Sequence, residues 1–354
     1  MRHALLVRRL ALLAALLCLG VVVLGAYVRL SNAGLGCPDW PGCYGHFTPA
    51  GAAADQRTLL EPLRGRPLQV GKAWREMVHR YAAGTLGLLI VCLTALGIAW
   101  RRERVLPVGY VAALLGIVVL QGALGMLTVT WQLTPIIVTL HLLFGMTTLA
   151  LLWWLTLTLW RAPGRPGAGP AAGTGPGSHL GAARLLAALG LAVLACQIAR
   201  GGWTSSNYAA LACPDLPTCQ GSFWPPANFH AAFTLWHPLD VDYEGGVLGG
   251  PARVAIQLTH RLGAIVTTAM LLLAAGMSLR GVAGAAAGAA AAVRWAALLV
   301  VVALALQLAI GVSMVLRGFP LPLATAHNAG AALLLLATLA LNRALTPAGP
   351  KAGY

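Results

Sequence analysis

The sequence predicts an all-α membrane protein in which eight transmembrane helices form two four-helix bundles related by a pseudo-twofold axis. Its 354 residues are 58% hydrophobic and only 9% charged, whereas soluble domains carry about 25% charged residues. The apolar residues fall into blocks of about 20, the length of a helix that crosses the hydrocarbon core. Because backbone polar groups within lipid need internal partners, we predict that each block is helical. The predicted spans are 10–30, 75–99, 107–130, 136–159, 184–204, 254–279, 295–316 and 323–342.

Two copies of one pattern divide the chain into related halves. Residues 37–45 read Cys-Pro-Asp-Trp-Pro-Gly-Cys-Tyr-Gly, and residues 213–221 read Cys-Pro-Asp-Leu-Pro-Thr-Cys-Gln-Gly. The offset between matched positions grows along the chain from 176 to 181 to 186 residues, so only small insertions separate the copies. Because each half holds four spans, both start on the same side of the membrane, and the repeat is parallel. Two histidines follow each cysteine block, the first of each pair directly before an arginine: His79-Arg80 and His141, then His260-Arg261 and His327.

The halves are joined by a segment rich in glycine, proline and alanine. We predict an N-terminal bundle at 1–161, a flexible cytoplasmic linker at 162–183 and a C-terminal bundle at 184–354. The first span is long and is the repeat partner of the fifth, which favours a retained helix over a cleaved signal peptide.

The net charge of +15 is a signal of topology rather than of nucleic-acid binding. Thirteen of the 24 Lys and Arg residues lie at the termini or in alternate loops, as the positive-inside rule describes for cytoplasmic segments. Eight of the nine acidic residues lie on the other side, and only Glu103 lies inside. We therefore predict cytoplasmic termini, a lipid bilayer as environment and no nucleic-acid partner. The composition favours a bacterial inner membrane.

Four cysteines lie in the predicted outer loops, in a compartment that permits disulfides. Each pair closes a short loop rich in proline or glycine, and we predict the disulfides Cys37–Cys43 and Cys213–Cys219. A zinc site is the alternative, although the Cys-x5-Cys spacing comes without clear further ligands. An exposed disulfide in a short loop is often labile, so a redox-active pair stays open beside a structural one.

The four repeated histidines predict two heme sites. Each lies about one turn into a span that enters from outside, roughly 7–10 Å below the helix end. Within each half the two imidazoles can therefore face each other across the core, His79 with His141 and His260 with His327. Four-helix bundles build cofactor sites in this way, and two axial imidazoles can hold a heme iron. The alternatives are a hydrogen-bonded core role and the transport of a metal ion, although ligands in separate bundles would not converge on one ion.

The arginine after the first histidine of each pair, Arg80 or Arg261, suits a heme propionate because a guanidinium binds a carboxylate through two hydrogen bonds. Snorkelling to lipid head groups is the alternative interpretation. Arg29 is a further candidate near the outer surface, and its repeat partner is Ser205.

One difference between the halves predicts which site is reactive. Glu76 stands three residues before His79 and shares its helix face, whereas the matching residue before His260 is Gln257. A carboxylate beside a heme pocket can move protons or stabilise a cationic intermediate, and an amide cannot titrate. Complementing the helix dipole is the alternative role for Glu76. We predict a reactive site in the N-terminal half and a permanent cofactor in the C-terminal half.

The combined motifs resemble those of heme A synthases over nearly the whole chain. Residues 25–45 read Gly-Ala-Tyr-Val-Arg-Leu-Ser-Asn-Ala-Gly-Leu-Gly-Cys-Pro-Asp-Trp-Pro-Gly-Cys-Tyr-Gly, which is similar to the first-span exit of that family. The resemblance implies oxidation of the C8 methyl group of heme O to the formyl group of heme A, for cytochrome c oxidase assembly. It also implies heme B on His260 and His327. Heme O would bind on His79 and His141, near Glu76 and the loop of the first cysteine pair.

The expected partners are heme O, a heme O synthase, an electron donor and, as an open possibility, a second copy of the chain. A two-heme electron-transfer cytochrome acting with quinone is the alternative from another functional class. A heme-carrying assembly factor without chemistry is a third. Neither alternative needs a carboxylate in only one half. The sequence offers no function for the extended stretch at about 222–250.

Overall fold

Eight long helices make up most of the part of the chain that the structure describes, as predicted. The computed structural model describes residues 2–55, 63, 65–103, 105–160, 179–239, 241–282 and 287–346. Each helix is long and apolar enough to cross a membrane. The helices are α1 (Arg2–Leu30), α2 (Val70–Ala99), α3 (Val108–Thr130), α4 (Pro135–Trp160), α5 (His179–Ser206), α6 (Gly250–Gly281), α7 (Ala287–Leu316) and α8 (Leu321–Leu345).

Several helices extend beyond the apolar blocks that predicted them. The helix α5 begins at His179, so the last five residues of the predicted linker are helical, because Leu180 and Ala183 are buried in the core. The side chain of Arg184 donates from Nε to the carbonyl of Leu345 at 2.9 Å, which ties the start of α5 to the end of α8. The rest of the predicted linker, 162–178, lies outside the described residues.

The helices of each half pack in a ring. In the first half α1 contacts α2 and α4, and α3 contacts α2 and α4. In the second half α5 contacts α6 and α8, and α7 contacts α6 and α8. The rings meet where α1 and α4 pack against α8 and where α4 packs against α5. Because α1 packs against two helices of its own ring and also against α8, it is part of the core of the fold.

Both predicted disulfides are present, and they lie at the same end of the helices, which we call the disulfide end. Cys37 is bonded to Cys43, and Cys213 is bonded to Cys219. Within each loop an aspartate accepts two backbone N–H groups, Asp39 from residues 44 and 45, and Asp215 from residues 220 and 221. The hydroxyl of Thr218, together with those N–H groups, lowers the pKa of Asp215 to about 2. The two loops are thus built alike.

The extended loop of the second half crosses to the first half at residues 241–246, which we call the strap. Tyr243 is 1% exposed and packs with Leu35, Val129 and Leu133 of the first half. Its backbone N–H donates to the carbonyl of Gln132 at 3.1 Å. The strap also carries acidic side chains that pair with basic ones of the first half: Arg66 with Asp242 and Glu244, and Lys72 with Glu244.

Candidate functional site

A cavity of about 600 Å³ lies inside the first ring of helices. Its lining is mostly apolar and comes from α1 to α4, with Gly202, Ser205 and Asn328 contributed by the second half. Binding sites for cofactor-sized molecules have this size and an apolar wall with few polar groups. The polar side chains on its wall include Gln121 and five residues predicted from the sequence: Arg29, Glu76, His79, Arg80 and His141.

Each of the four predicted histidines packs its ring over a glycine of the preceding long helix. A Cβ atom added to Gly25 would lie 2.8 Å from Cε1 of His79, and one added to Gly125 would lie 3.2 Å from Cε1 of His141. The second half repeats the arrangement, at 3.3 Å for Gly201 with His260 and 3.0 Å for Gly311 with His327. Because a larger residue would collide with the imidazole, these glycines let the rings approach the neighbouring helix backbone.

The first histidine of each half lies farther along its helix than predicted, and the second lies within the predicted range. His79 is the tenth residue of α2, so it lies about 14 Å along the helix from Val70 rather than 7–10 Å. The first turn of α2 packs against the loops at the disulfide end. Lys72 pairs there with Glu244 at 3.9 Å, and Ala73 is buried against the first disulfide. His141 is the seventh residue of α4, about 9 Å along it, within the predicted range.

Polar side chains surround the histidines of the second half. Gln197 donates from Nε2 to the carbonyl of His260 at 2.9 Å and lies 3.2 Å from Nδ1 of that ring. Arg200 donates to Oε1 of Gln197 at 3.3 Å, and both side chains pack over Gly263 of α6. Gln307 approaches Nε2 of His327 at 3.3 Å. The first half has a counterpart to Gln307, since Gln121 donates to the carbonyl of His141 at 2.8 Å, but apolar residues stand at the positions of Gln197 and Arg200.

Glu76 is buried, with 4% exposure, and joins the disulfide loop to the cavity wall. Its Oε2 accepts the backbone N–H of Cys37 at 2.9 Å, and its Oε1 pairs with Arg80. It is the seventh residue of α2, beyond the first turn where the helix dipole acts, so dipole complementation does not account for it. Gln257 is equally buried, but its Oε1 has no hydrogen-bond partner.

The two arginines predicted to face propionates also anchor the disulfide loops. Arg80 donates to loop carbonyls from both terminal nitrogens, and its acceptors are Cys37 at 3.2 Å, Asp39 at 2.9 Å, Pro41 at 3.2 Å and Gly42 at 2.6 Å. Arg261 donates to the carbonyls of Cys213 and Thr218, both at 2.8 Å. A contact of either arginine with a propionate stays a prediction.

Sequence reasoning missed the polar shell of the second half and the glycines behind the histidine rings. The repeat could have located these glycines. Gly25 and Gly201 share the 176-residue offset, and Gly125 and Gly311 share the 186-residue offset. An arginine at 200 within an apolar span was a second signal. Within the described ranges, no three His, Cys, Asp or Glu side chains lie together as a metal-binding group.

Comparison with known proteins places these features in one family. Residues 8–339 match the COX15-CtaA family, which is described as "Cytochrome oxidase assembly protein". A Shewanella oneidensis protein named heme A synthase is 41% identical over 325 residues, covering 91% of each chain. Two further proteins of that name are similar, one from a Methylobacterium strain at 32% identity, covering 93% of this chain and 89% of its own, and one from Rhizorhabdus wittichii at 28%, covering 93% and 90%.

Proposed function

The chain belongs to the COX15-CtaA family of cytochrome oxidase assembly proteins, and we propose that it is a heme A synthase, an oxidoreductase that converts heme O to heme A. The observation that carries this proposal is the cavity of about 600 Å³ in the first half. Two histidines and one buried carboxylate share its wall. A substrate porphyrin and a group that can exchange protons can meet in such a site.

In this proposal heme O binds in the first half with its iron on His79 and His141. The mostly apolar wall suits a porphyrin face and an apolar tail, so the substrate can enter sideways from lipid. Gly25 and Gly125 hold the two rings close to their neighbouring helices. Binding the iron from both sides would fix the porphyrin plane within the ring of helices.

Glu76 is the residue we assign to proton movement. Conversion of a methyl group to a formyl group adds an oxygen atom, from water or dioxygen, and removes hydrogen as protons and as electrons that pass to an acceptor. A titratable group near the reacting carbon can take up those protons. The N–H of Cys37 fixes one carboxylate oxygen, and Arg80 holds the other. Arg80 and the loop of the first disulfide thus act as positioning elements for the carboxylate. The amide of Gln257 cannot perform this role in the second half.

We assign the second half to a resident heme B on His260 and His327. The donor set fits the group, because two imidazoles from α6 and α8 lie over Gly201 and Gly311, with neutral amides at their nitrogens. When bound, a heme with two axial imidazoles supplies electron transfer. Gln197, at Nδ1 of His260, would orient that imidazole, as hydrogen-bonding neighbours of metal ligands do.

We propose a substrate bundle at 1–161 and a heme B bundle that begins with α5 at His179, the two related by a pseudo-twofold axis. We place the disulfide end outside the bacterial inner membrane, since oxidising compartments favour disulfides and the basic loops lie at the opposite helix ends. A heme O synthase and an electron donor are the expected partners in the same membrane.

The test is chromatographic identification of the hemes extracted from the purified protein, expressed with and without a heme O synthase. We expect heme B alone without the synthase, and heme B together with heme O or heme A when the synthase is present. Two molecules of heme B per chain in both cases, with no heme A in the membranes, would favour the electron-transfer cytochrome instead.

A further inference from the structure

Arg29 lines the substrate cavity, and the Proposed function assigns it no role. It lies one residue before the end of α1, at the disulfide end. Its Nη2 donates to the carbonyl of Ser205 at 2.7 Å, and its guanidinium carbon lies 4.0 Å from the centre of the Tyr208 ring. Both contacts come from the second half, so the other bundle holds this arginine in place.

The guanidinium of Arg29 keeps unused hydrogen-bonding capacity. Its Nε is buried and has no hydrogen-bond partner. A buried donor without a partner destabilises the fold, and more so when the group is charged. The close contacts described for Arg29 are to neutral groups, the carbonyls of Ser205 and Ser206 and the Tyr208 side chain. The carboxylate of Glu244 acts on it electrostatically without a described hydrogen bond or ion pair. A guanidinium in such a wall is therefore suited to an anionic ligand in the cavity.

The other arginine on the cavity wall is already engaged. Arg80 makes four contacts with loop carbonyls and pairs with Glu76. The second half has no arginine at the matching position, because the repeat partner of Arg29 is Ser205 itself. Arg29 is thus a feature of the substrate half alone, and its anion is expected to belong to the substrate rather than to the resident heme.

We propose that Arg29 binds a carboxylate of the substrate, namely the propionate that shares a pyrrole ring with the C8 methyl group of heme O. The proposal rests on the Proposed function and deepens it. A guanidinium holds a carboxylate through directional, charge-assisted hydrogen bonds. Because the methyl and that propionate are neighbours on one ring, fixing the propionate also fixes which methyl group is presented for oxidation. Arg29 is then a specificity-determining residue.

The experiment is a titration of the full-length protein, carrying its resident heme, with ferric heme O and with heme O dimethyl ester, whose propionates are esterified. In the wild type we expect the ester to bind about 10- to 100-fold more weakly than heme O, the range of a charge-assisted hydrogen bond. In Arg29→Gln we expect heme O to weaken by a similar factor and the ester to bind as it does to the wild type. Arg29→Lys should recover part of the affinity for heme O.

Arg184→Gln is the matched control. Arg184 also donates to a backbone carbonyl, that of Leu345 at 2.9 Å, and it lies at the opposite helix ends, outside the residues that line the cavity. It should leave both affinities unchanged, and the resident heme content should be equal in all variants. Equal weakening of heme O and ester in Arg29→Gln would reduce Arg29 to a structural contact between the halves. Unchanged heme O binding in that variant would also overturn the proposal. If the wild type binds no heme O, the Proposed function itself fails.

Discussion

The two halves of the protein use the same frame around different interiors. Both place histidine rings over glycines, and both tie a disulfide loop to a helix through an arginine. They differ beside the histidines, where the first half has Val21 and Leu24 at the positions of Gln197 and Arg200. The first half holds a largely apolar cavity, and in the second half Gln197 and Arg200 are hydrogen-bonded beside His260.

The difference teaches that a duplicated scaffold can be specialised through a few interior side chains. Polar groups that bond the imidazoles of the second half suit a group that stays bound. An apolar wall in the first half suits a ligand that enters from lipid and leaves after reaction. The one buried carboxylate among the described residues, Glu76, belongs to that half. Variants of the first half should therefore change heme A formation without changing heme B retention.

The largest effect is expected from removing one histidine of each half in turn. His260→Ala should lose the resident heme B, because one axial ligand is gone, and heme A formation should fall with it. His79→Ala should keep heme B and yet form no detectable heme A. Pyridine hemochrome spectra and chromatography of extracted hemes measure both quantities on the same sample. Loss of the same heme in both variants would break the proposed division between the halves.

The next effect separates the buried acid from its amide counterpart. Glu76→Gln keeps a hydrogen-bond acceptor for Cys37 and removes the titratable group. We expect heme A formation to fall about 100-fold or more, the usual size of a general acid–base contribution. Bound heme O should accumulate, which chromatography of the extracted hemes would detect.

The matched control for that variant is Gln257→Asn, which shortens a buried amide in the other half without changing its charge. It should leave heme A formation within about twofold, as expected for a residue that transfers no proton. Full activity in Glu76→Gln would remove the carboxylate from the mechanism. It would leave the histidine assignments in place.

Much of this comparison could be predicted from the sequence, since it depends on repeats and apolar blocks. The eight helices and both disulfides follow from residue patterns that act locally. The early start of α1 at Arg2 could not be placed by hydropathy, because Arg8 and Arg9 lower the apolar average while the backbone hydrogen bonds of the helix continue through them. The contacts of Arg80 with loop carbonyls depend on how the loop folds back, which its spacing does not encode.

The strap was beyond prediction for a different reason. It has no repeat partner in the first half, so the internal comparison that located the histidines could not find it. Its acidic residues were visible in the sequence, but their partner Arg66 lies 176 residues from Asp242 and 178 from Glu244. Contacts at such separation depend on the docking of the two rings, and no local pattern specifies them.

A smaller effect is expected from opening the first disulfide loop rather than the second. Cys37 supplies an N–H to Glu76, whereas Gln257, in the matching position, has no partner at its Oε1. We expect the double variant Cys37→Ser with Cys43→Ser to reduce heme A formation about 10-fold. A displaced Glu76 carboxylate would then raise the activation free energy by about 1.4 kcal/mol. Cys213→Ser with Cys219→Ser should lower heme B retention instead. Identical consequences for the two pairs, in activity and heme B content, would mean that the loops serve only stability.

The smallest effect tests whether the second half helps to close the substrate site of the first. Glu244 pairs with Arg66 at 2.6 Å, and its side chain is 23% exposed, so solvent weakens the pair. We expect Glu244→Gln to weaken heme O binding by about two- to fivefold, as a partly exposed ion pair contributes about 0.5–1 kcal/mol. The control is Glu103→Gln. Glu103 lies in the loop between α2 and α3, at the opposite helix ends, and the substitution removes its exposed ion pair with His3 of α1. Because the strap acts on the first half, heme B content should stay constant in both variants. A fall in heme B with unchanged heme O binding would instead assign the strap to the half from which it comes.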